Sequence, residues 1–208
     1  FRPTGVNRGA TGSARGAPPQ RLGAPLSVAA VLFAMPAAFG EESRRPAAPS
    51  PKAVEAMQLL ESSDPYQRQV GFLRLEALRE PSTVEVITRY LESPEIEARA
   101  YSLRALAAID GVAAVPVLLE RLRTDRHPQV RRAAMLGLEP LQPHHPDILP
   151  AFIKALRDGS TEVRIAAVDV VSRIKDPRAR EAMLLRQKRE RRRDVQRVLK
   201  LAMQRVKS

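Results

Sequence analysis

The feature of this sequence that most constrains its fold is an internal repeat of about 32 residues. Four segments align, starting at residues 67, 98, 130 and 163, and each has an arginine in its second position. Successive arginines are 31, 32 and 33 residues apart. A fifth segment starts at residue 195 and has Gln196 in the arginine position. The repeat arginines are Arg68, Arg99, Arg131 and Arg164.

Each aligned segment has the pattern of an amphipathic helix. A small residue follows the arginine by three positions and aliphatic residues follow it by seven and ten, as Ser102, Leu106 and Ile109 follow Arg99. These offsets lie on one stripe of an α-helix. A second apolar helix is predicted between the copies, so the unit is a two-helix hairpin and the fold class is all-α. The first helices are predicted at 67–78, 98–109, 130–141, 163–174 and 195–206, and the second helices at 82–91, 112–122 and 147–156.

Capping residues mark the predicted starts of the first helices. Asp64 and Ser93 each precede a proline, which is suited to the first turn because its missing N–H is not needed there. Ser160 is the predicted cap of the fourth copy. A separate helix at 52–60 is predicted to cover the front of the array.

The residues around the third and fourth copies carry a family resemblance. Residues 127–134 read HPQVRRAA and residues 174–179 read IKDPRA. Together with Val115-Pro116, this pattern resembles the HEAT-like repeat of phycobilisome lyases, over residues 64–206. The resemblance implies a right-handed α–α superhelix, or HEAT-like solenoid, of about four to five two-helix repeats. It is specific for the fold and weak for function, because one fold serves many functions.

The same resemblance implies a structural role for the repeat arginines. They are expected to form a polar ladder between neighbouring repeats, with the turn aspartates Asp110 and Asp176 as partners. On this interpretation they are not a row of ligand-binding residues.

Residue types limit the chemistry that the chain can perform. It has no cysteine, which excludes a disulfide, a thiolate zinc site and a cysteine nucleophile. Of its histidines, His144 and His145 are adjacent in a proline-flanked loop, and His127 lies apart from them. Neither a glycine-rich phosphate loop nor a G-x-S-x-G element is present. We therefore predict no catalytic residue, no metal, no cofactor and no enzymatic activity.

The net charge of +12 is concentrated at the two ends of the chain. Residues 178–208 contain twelve basic and three acidic residues. This basic patch predicts either contact with an anionic partner (an acidic protein, a lipid surface or nucleic acid) or a solvated cap of the repeat array. Its lack of aromatic residues argues against base stacking. The patch consists of Lys188, Arg189, Arg191, Arg192, Arg193, Arg197 and Lys200.

The N-terminal region has the pattern of an export signal. Residues 26–39 are an apolar run that is too short to span a bilayer as a helix. Arg15 and Arg21 precede it, and a small-residue cleavage site lies before Glu41. We predict a signal peptide with an N-terminal extension at 1–40, a Pro/Ala-rich linker at 41–51 and the HEAT-like domain at 52–208. The mature chain is then periplasmic or secreted and has no transmembrane helix, whereas it is cytoplasmic if 26–39 is a core helix.

The leading functional interpretation is a non-catalytic scaffold or adaptor that binds a protein through the surface of its second helices. One alternative, implied by the resemblance, is a bilin-lyase-like factor for chromophore attachment or isomerisation. Another is binding of nucleic acid or an acidic surface through the basic patch. The candidate partner-binding surface consists of Tyr90, Arg89, Glu120, Arg121, Phe152, Lys154 and Arg157.

Overall fold

The computed structural model describes residues 47–205, and every regular element in that range is helical. In this described range ten α-helices follow one another, with short 3-10 segments at 81–83, 90–92, 111–114 and 139–144. The helices are α1 (Pro51–Leu60), α2 (Pro65–Leu78), α3 (Val84–Arg89), α4 (Ile96–Asp110), α5 (Val115–Thr124), α6 (Pro128–Leu138), α7 (Ile148–Ala155), α8 (Thr161–Arg173), α9 (Pro177–Arg189) and α10 (Arg193–Arg205).

The helices stack as consecutive hairpins. The first helices α2, α4, α6, α8 and α10 pack one against the next, and the second helices α5, α7 and α9 pack in the same order. Helix α1 packs against α2 at the front of the array. This arrangement confirms the predicted all-α solenoid of two-helix repeats.

One position of the repeat lies in the core in each of the four copies that have the arginine. Four residues after the repeat arginine, Phe72, Leu103, Met135 and Val168 are each at most 1% exposed. Burying a side chain of this size contributes about 1.5–3 kcal/mol relative to leaving it in water. The predicted stripe is buried as well at the position seven residues after the arginine, where Leu75, Leu106, Leu138 and Val171 are at most 2% exposed.

Helix ends follow local chemistry. Asp64 is the confirmed cap of α2, where its Oδ1 accepts a hydrogen bond from the Tyr66 N–H at 2.9 Å. Helix α4 starts two residues later than Ser93-Pro94 suggested, at Ile96. Helix α6 ends at Leu138, short of the predicted 141, and a 3-10 helix follows because Pro140 has no N–H for a continuing α-helix. His144 lies in that 3-10 helix and not in a loop.

Residues 96–124 contain an apolar window that is long enough, by composition, to cross a membrane. In the structure this run is two helices, α4 and α5, joined by a 3-10 turn that begins at Gly111. Gly111 has a φ of +55°, a conformation that glycine adopts without strain. Leu103, Leu106, Val115 and Leu118 of these helices are buried inside the repeat array, as expected for core helices of a solenoid.

Several N-terminal predictions lie outside the described residues. They are the apolar run 26–39, the cleavage site before Glu41 and most of the linker at 41–51. Pro51, the last residue of the predicted linker, is the first residue of α1. Export, the linker and the domain limits stay predictions.

Gly71 is expected to be intolerant of a side chain, because α1 approaches α2 closely there. A Cβ at Gly71 would lie 2.8 Å from Leu60 Cδ2 and 2.9 Å from the backbone oxygen of Ala56. The backbone of α1 must shift to relieve that contact. We expect Gly71→Ala to lower the free energy of unfolding by about 1–3 kcal/mol, measured by urea denaturation. Gly159→Ala is the control, because nothing lies within 4 Å of its added Cβ; equal losses in both variants would contradict the prediction.

Candidate functional site

The repeat arginines form a ladder of ion pairs along the array. Each reaches a carboxylate that lies at the turn before the first helix of the next repeat. Because the repeat period is regular, the partners are always 26 or 27 residues apart. The pairs are Arg68–Glu95 at 2.7 Å, Arg99–Asp125 at 3.0 Å, Arg131–Asp158 at 2.6 Å and Arg164–Glu190 at 3.0 Å.

Each repeat arginine also binds the turn before its own helix. Its Nη1 donates to the backbone oxygen six residues earlier, as Arg99 does to Ser93 at 2.7 Å and Arg164 does to Asp158 at 2.9 Å. Gln196 makes the equivalent contact in α10, donating from Nε2 to the Glu190 oxygen at 2.6 Å. The fifth copy therefore keeps the backbone contact without the charge.

The ladder has different acidic partners from those implied by the family resemblance. Asp176 pairs with Arg178 at 2.8 Å and caps α9. Asp110 is exposed at the end of α4, and no ion pair joins it to another described residue. Both aspartates follow a first helix, whereas the guanidinium groups point to the turn that follows the second helix. The predicted partners were therefore wrong.

Two of the four ion pairs of the ladder, which we call its rungs, are buried. The side chains of Arg99 and Asp125 are 6% and 4% exposed, and those of Arg164 and Glu190 are 8% and 2% exposed. Burial raises the pKa of Asp125, but the hydrogen bonds from Arg99 and the His127 N–H outweigh it and the net shift is downward. Burial also opposes ionisation of Glu190, yet hydrogen bonds from the Arg192 N–H, Arg186 and Arg164 lower its pKa to about 2.

A groove between the second helices α5 and α7 has a volume of about 600 Å³. Its floor is apolar and its rim is charged. An apolar lining with a few charged groups is the general pattern of small-molecule sites. The floor consists of Pro116, Leu119, Leu122, Ala151 and Ala155, and the rim of Glu120, Arg123, Asp147, Lys154, Arg157 and Asp158.

The rim of the α5–α7 groove carries two cations that no described carboxylate pairs with, against one exposed carboxylate, Asp147, that pairs with no described Lys or Arg. Glu120 pairs with Arg123 at 2.8 Å, and Asp158 is the ladder partner of Arg131. Lys154 and Arg157 are exposed, and no carboxylate among residues 47–205 pairs with either. They lie three residues apart, so they are neighbours on one side of the helix end.

The structure brings only part of the predicted partner-binding surface together. Glu120, Lys154 and Arg157 share the rim of the α5–α7 groove. Arg121 is mostly buried, lies toward the preceding repeat and pairs with Glu92. Its Nε is the buried polar side-chain atom of the described residues that has no hydrogen-bond partner.

Three further residues of that predicted surface lie elsewhere. Arg89 is exposed and pairs with Glu85 at 2.8 Å. Tyr90 is half-buried: its ring packs edge-on against Phe72, and burial together with a hydrogen bond to Glu61 raises its pKa to about 12. Phe152 was wrongly placed on the surface, because it is 0% exposed and faces the core side of α7.

The apolar floor of the α5–α7 groove was missed by sequence reasoning. Pro116 and Leu119 lie one turn apart on the outer side of α5, and Ala151 lies on the facing side of α7. The signal was present as apolar residues outside the core stripe of each second helix. It becomes a groove only when the spacing of α5 and α7 is known.

The basic patch and the histidines complete the candidate residues. All seven cations of the patch are exposed on α9, α10 and the turn between them. His127 caps α6 through Nδ1, which accepts a hydrogen bond from the Gln129 N–H at 3.3 Å. His145 lies 3.9 Å from Asp147. Within residues 47–205, no group of three or more His, Cys, Asp or Glu side chains is arranged to hold a metal ion.

Comparison with known proteins identifies the type of repeat and two relatives. A family model of HEAT repeats matches residues 54–139 and 115–204. Phycocyanobilin lyase subunit beta of Nostoc sp. (strain PCC 7120) is 34% identical over 116 residues, which cover 51% of this chain and 58% of that protein. The chain thus spans little more than half of the relative's length. In the solved complex of CpcE and CpcF of phycocyanin lyase from Nostoc sp. PCC7120, one chain matches with a TM-score of 0.57 and 25% identity, covering 72% of this chain and 96% of that chain.

These relatives decide two of the sequence-based predictions. They confirm the resemblance to the HEAT-like repeats of phycobilisome lyases. They contradict the prediction that the chain is not an enzyme, because both relatives are named as parts of lyases, and lyases are enzymes.

Proposed function

This chain belongs to the HEAT-repeat family, and from that premise we propose that it is a lyase-type subunit that holds a bilin for attachment to an acceptor protein. The main support for this proposal is the α5–α7 groove, in which two cations that no described carboxylate pairs with, Lys154 and Arg157, lie beside an apolar floor. The similarity to a phycocyanobilin lyase subunit supports the choice of ligand.

The charges of the groove suit the acidic groups of a bilin. A bilin is an open-chain tetrapyrrole with flat apolar rings and anionic propionate side chains. Lys154 and Arg157 are the groups that would bind the propionates, because neither is neutralised by a described carboxylate. Asp147, at the start of α7, would accept hydrogen bonds from pyrrole N–H groups.

The floor of the groove suits the rings. Pro116, Leu119 and Ala151 offer an apolar surface, and the groove volume lies within the range of about 300–1,000 Å³ of small-molecule sites. The chain contains no cysteine, so it has no thiol to form a thioether with a bilin. A bilin held here is bound non-covalently and can be handed to the thiol of an acceptor protein.

A protein partner is part of this proposal. The matched solved structure is a complex of two different lyase subunits. A HEAT array also offers extended surface on which a second chain can pack. We propose that this chain works together with a second subunit, which supplies the surface that presents the acceptor.

Charge reversal in the groove is the direct test of bilin binding. Biliverdin is titrated into the protein and its absorbance change is followed. We expect the double variant Lys154→Glu, Arg157→Glu to bind biliverdin at least about a hundredfold more weakly, because it removes two charge-assisted hydrogen bonds worth about 1.5–3 kcal/mol each.

The control is the double variant Arg126→Glu, Arg132→Glu, which makes the same charge change at exposed positions outside the groove. It should bind biliverdin like the unaltered protein. An equal loss in both variants would reduce the effect to net charge, and no binding by the unaltered protein would refute the groove as the bilin site.

A further inference from the structure

Helix α10, the first helix of the fifth copy, differs from the other first helices at a position that is buried in the core of the other four copies. The position four residues after the repeat arginine is Phe72, Leu103, Met135 and Val168 in the first four copies, and each is buried. In α10 the same position is Lys200, which is exposed. A further apolar repeat stacked on this face would have to bury an ammonium group, which is costly without a partner charge. A partner that stacks on the outer face of α10 must therefore supply an anionic group at this position.

The cations of that face form a straight row. Arg193, Arg197 and Lys200 are spaced by four and three residues, so they lie on one stripe of the helix, about 6 Å and about 4.5 Å apart along its axis. All three are exposed, and within residues 47–205 no carboxylate pairs with any of them. The corresponding residues of α8 are Thr161, Ile165 and Val168, in the helix against which α10 itself packs. We name Arg193, Arg197 and Lys200 the α10 cation row.

The nearby acidic groups do not weaken the row. Glu190, in the turn before α10, is buried and already pairs with Arg164 and Arg186. Asp194 lies at the start of α10 and pairs with Arg192 at 3.6 Å. The apolar side of α10 faces inward, with Val195 and Leu199 fully buried, so the helix is fixed to the array. The row is thus a rigid surface of positive charge.

We propose that the α10 cation row is the docking site for an acidic helix of a partner protein, which continues the stack with carboxylates in place of apolar side chains. A helix that carries Glu or Asp at i, i+4 and i+7 has the same spacing as the row, so each carboxylate meets one cation. The proposal does not depend on bilin binding.

The structure favours a protein over the other anionic partners. Among residues 177–205 there is no aromatic side chain on which a base could stack. An amphipathic helix that inserts into a lipid surface uses its apolar side, and the apolar side of α10 is occupied by the array. A stacking face with helical spacing is the geometry that another helix fits.

The test uses a synthetic helical peptide of about 20 residues with glutamates at i, i+4 and i+7, and fluorescence anisotropy at low ionic strength. We expect Arg193→Glu, Arg197→Glu and Lys200→Glu together to weaken its binding by about tenfold or more. A scrambled peptide of the same composition should bind at least about fivefold more weakly than the aligned one, because its charges are out of register.

The control is the triple variant Lys52→Glu, Arg74→Glu, Arg126→Glu, which changes the net charge equally at exposed sites away from α10 and should bind within about twofold of the unaltered protein. A DNA duplex and vesicles of phosphatidylglycerol are the competing probes. Failure of the aligned peptide to bind, equal losses in both triple variants, or tighter row-dependent binding of the duplex or the vesicles would each overturn the proposal.

Discussion

Replacement of Asp125 by Asn is expected to lower the free energy of unfolding by about 3–5 kcal/mol, because it leaves a buried guanidinium without its counter-charge. Asp125 accepts hydrogen bonds from Arg99 Nε at 3.0 Å and from the His127 N–H at 2.8 Å. Both members of the ion pair are almost fully buried. The amide of Asn can accept one of these bonds but carries no charge. Urea denaturation at neutral pH, followed by far-UV circular dichroism, measures the loss.

Glu95→Gln is the matched control for Asp125→Asn, because it removes the carboxylate of the equivalent rung one repeat earlier. The Glu95 side chain is 48% exposed, so water can replace much of what Arg68 loses. We expect this variant to lose only about 0–1 kcal/mol. Equal losses in the two variants would show that burial does not set the strength of a rung, and would contradict the prediction.

The fold was predictable because the same residue pattern recurs in several copies of the repeat. Any one amphipathic helix is ambiguous, but an arginine followed at three, seven and ten residues by small and aliphatic residues recurs in four copies. The stripe depends on helical geometry alone, so it carries over to the structure. Only the helix ends shifted, where Pro140 stopped α6 and Ser93 lay outside α4.

The ladder partners were not predictable in the same way. The sequence shows that each repeat has an arginine and an acidic residue near a turn, but each repeat has two turns. Which of the two turns the guanidinium reaches depends on the length of the second helix. That helix length differs between repeats, because 3-10 segments replace part of some second helices. Asp110 and Asp176 follow first helices, whereas Asp125 and Glu190 follow second helices.

The candidate site was partly predictable. Lys154 and Arg157 were identifiable as polar residues at the end of a second helix, and the structure places both at the groove. Phe152 was misplaced because a helix of eight residues has too few turns to fix its buried side from the pattern alone. The groove floor could not be predicted, because it depends on the distance between α5 and α7. That distance is set by the packing of the two helices and not by the sequence of either helix alone.

Glu190→Gln is expected to release α10 from the array, with a loss of about 3–5 kcal/mol in the free energy of unfolding of that region. The carboxylate joins three helices: Arg164 of α8 donates to it at 3.0 Å, Arg186 of α9 pairs with it, and it accepts the Arg191 and Arg192 N–H groups before α10 at 2.9 Å. The variant leaves two guanidinium groups without a counter-charge. Hydrogen exchange should rise across α9 and α10 and stay unchanged in α4 and α6; uniform protection throughout the array would contradict this role.

Protonation of Glu190 at acid pH should also release α10 from the array in the unaltered protein. The pKa of Glu190 falls from 4.5 to about 2 in the folded state. A lowered folded pKa gives stability that is complete above the unfolded value and is lost as the pH falls from about 4.5 toward about 2. Hydrogen exchange of α10 should therefore increase across that range in the unaltered protein but change little in Glu190→Gln, which has no carboxylate to protonate at this position. If the variant showed the same acid dependence, another carboxylate would hold α10, and the α10 cation row would owe its rigidity to a different contact.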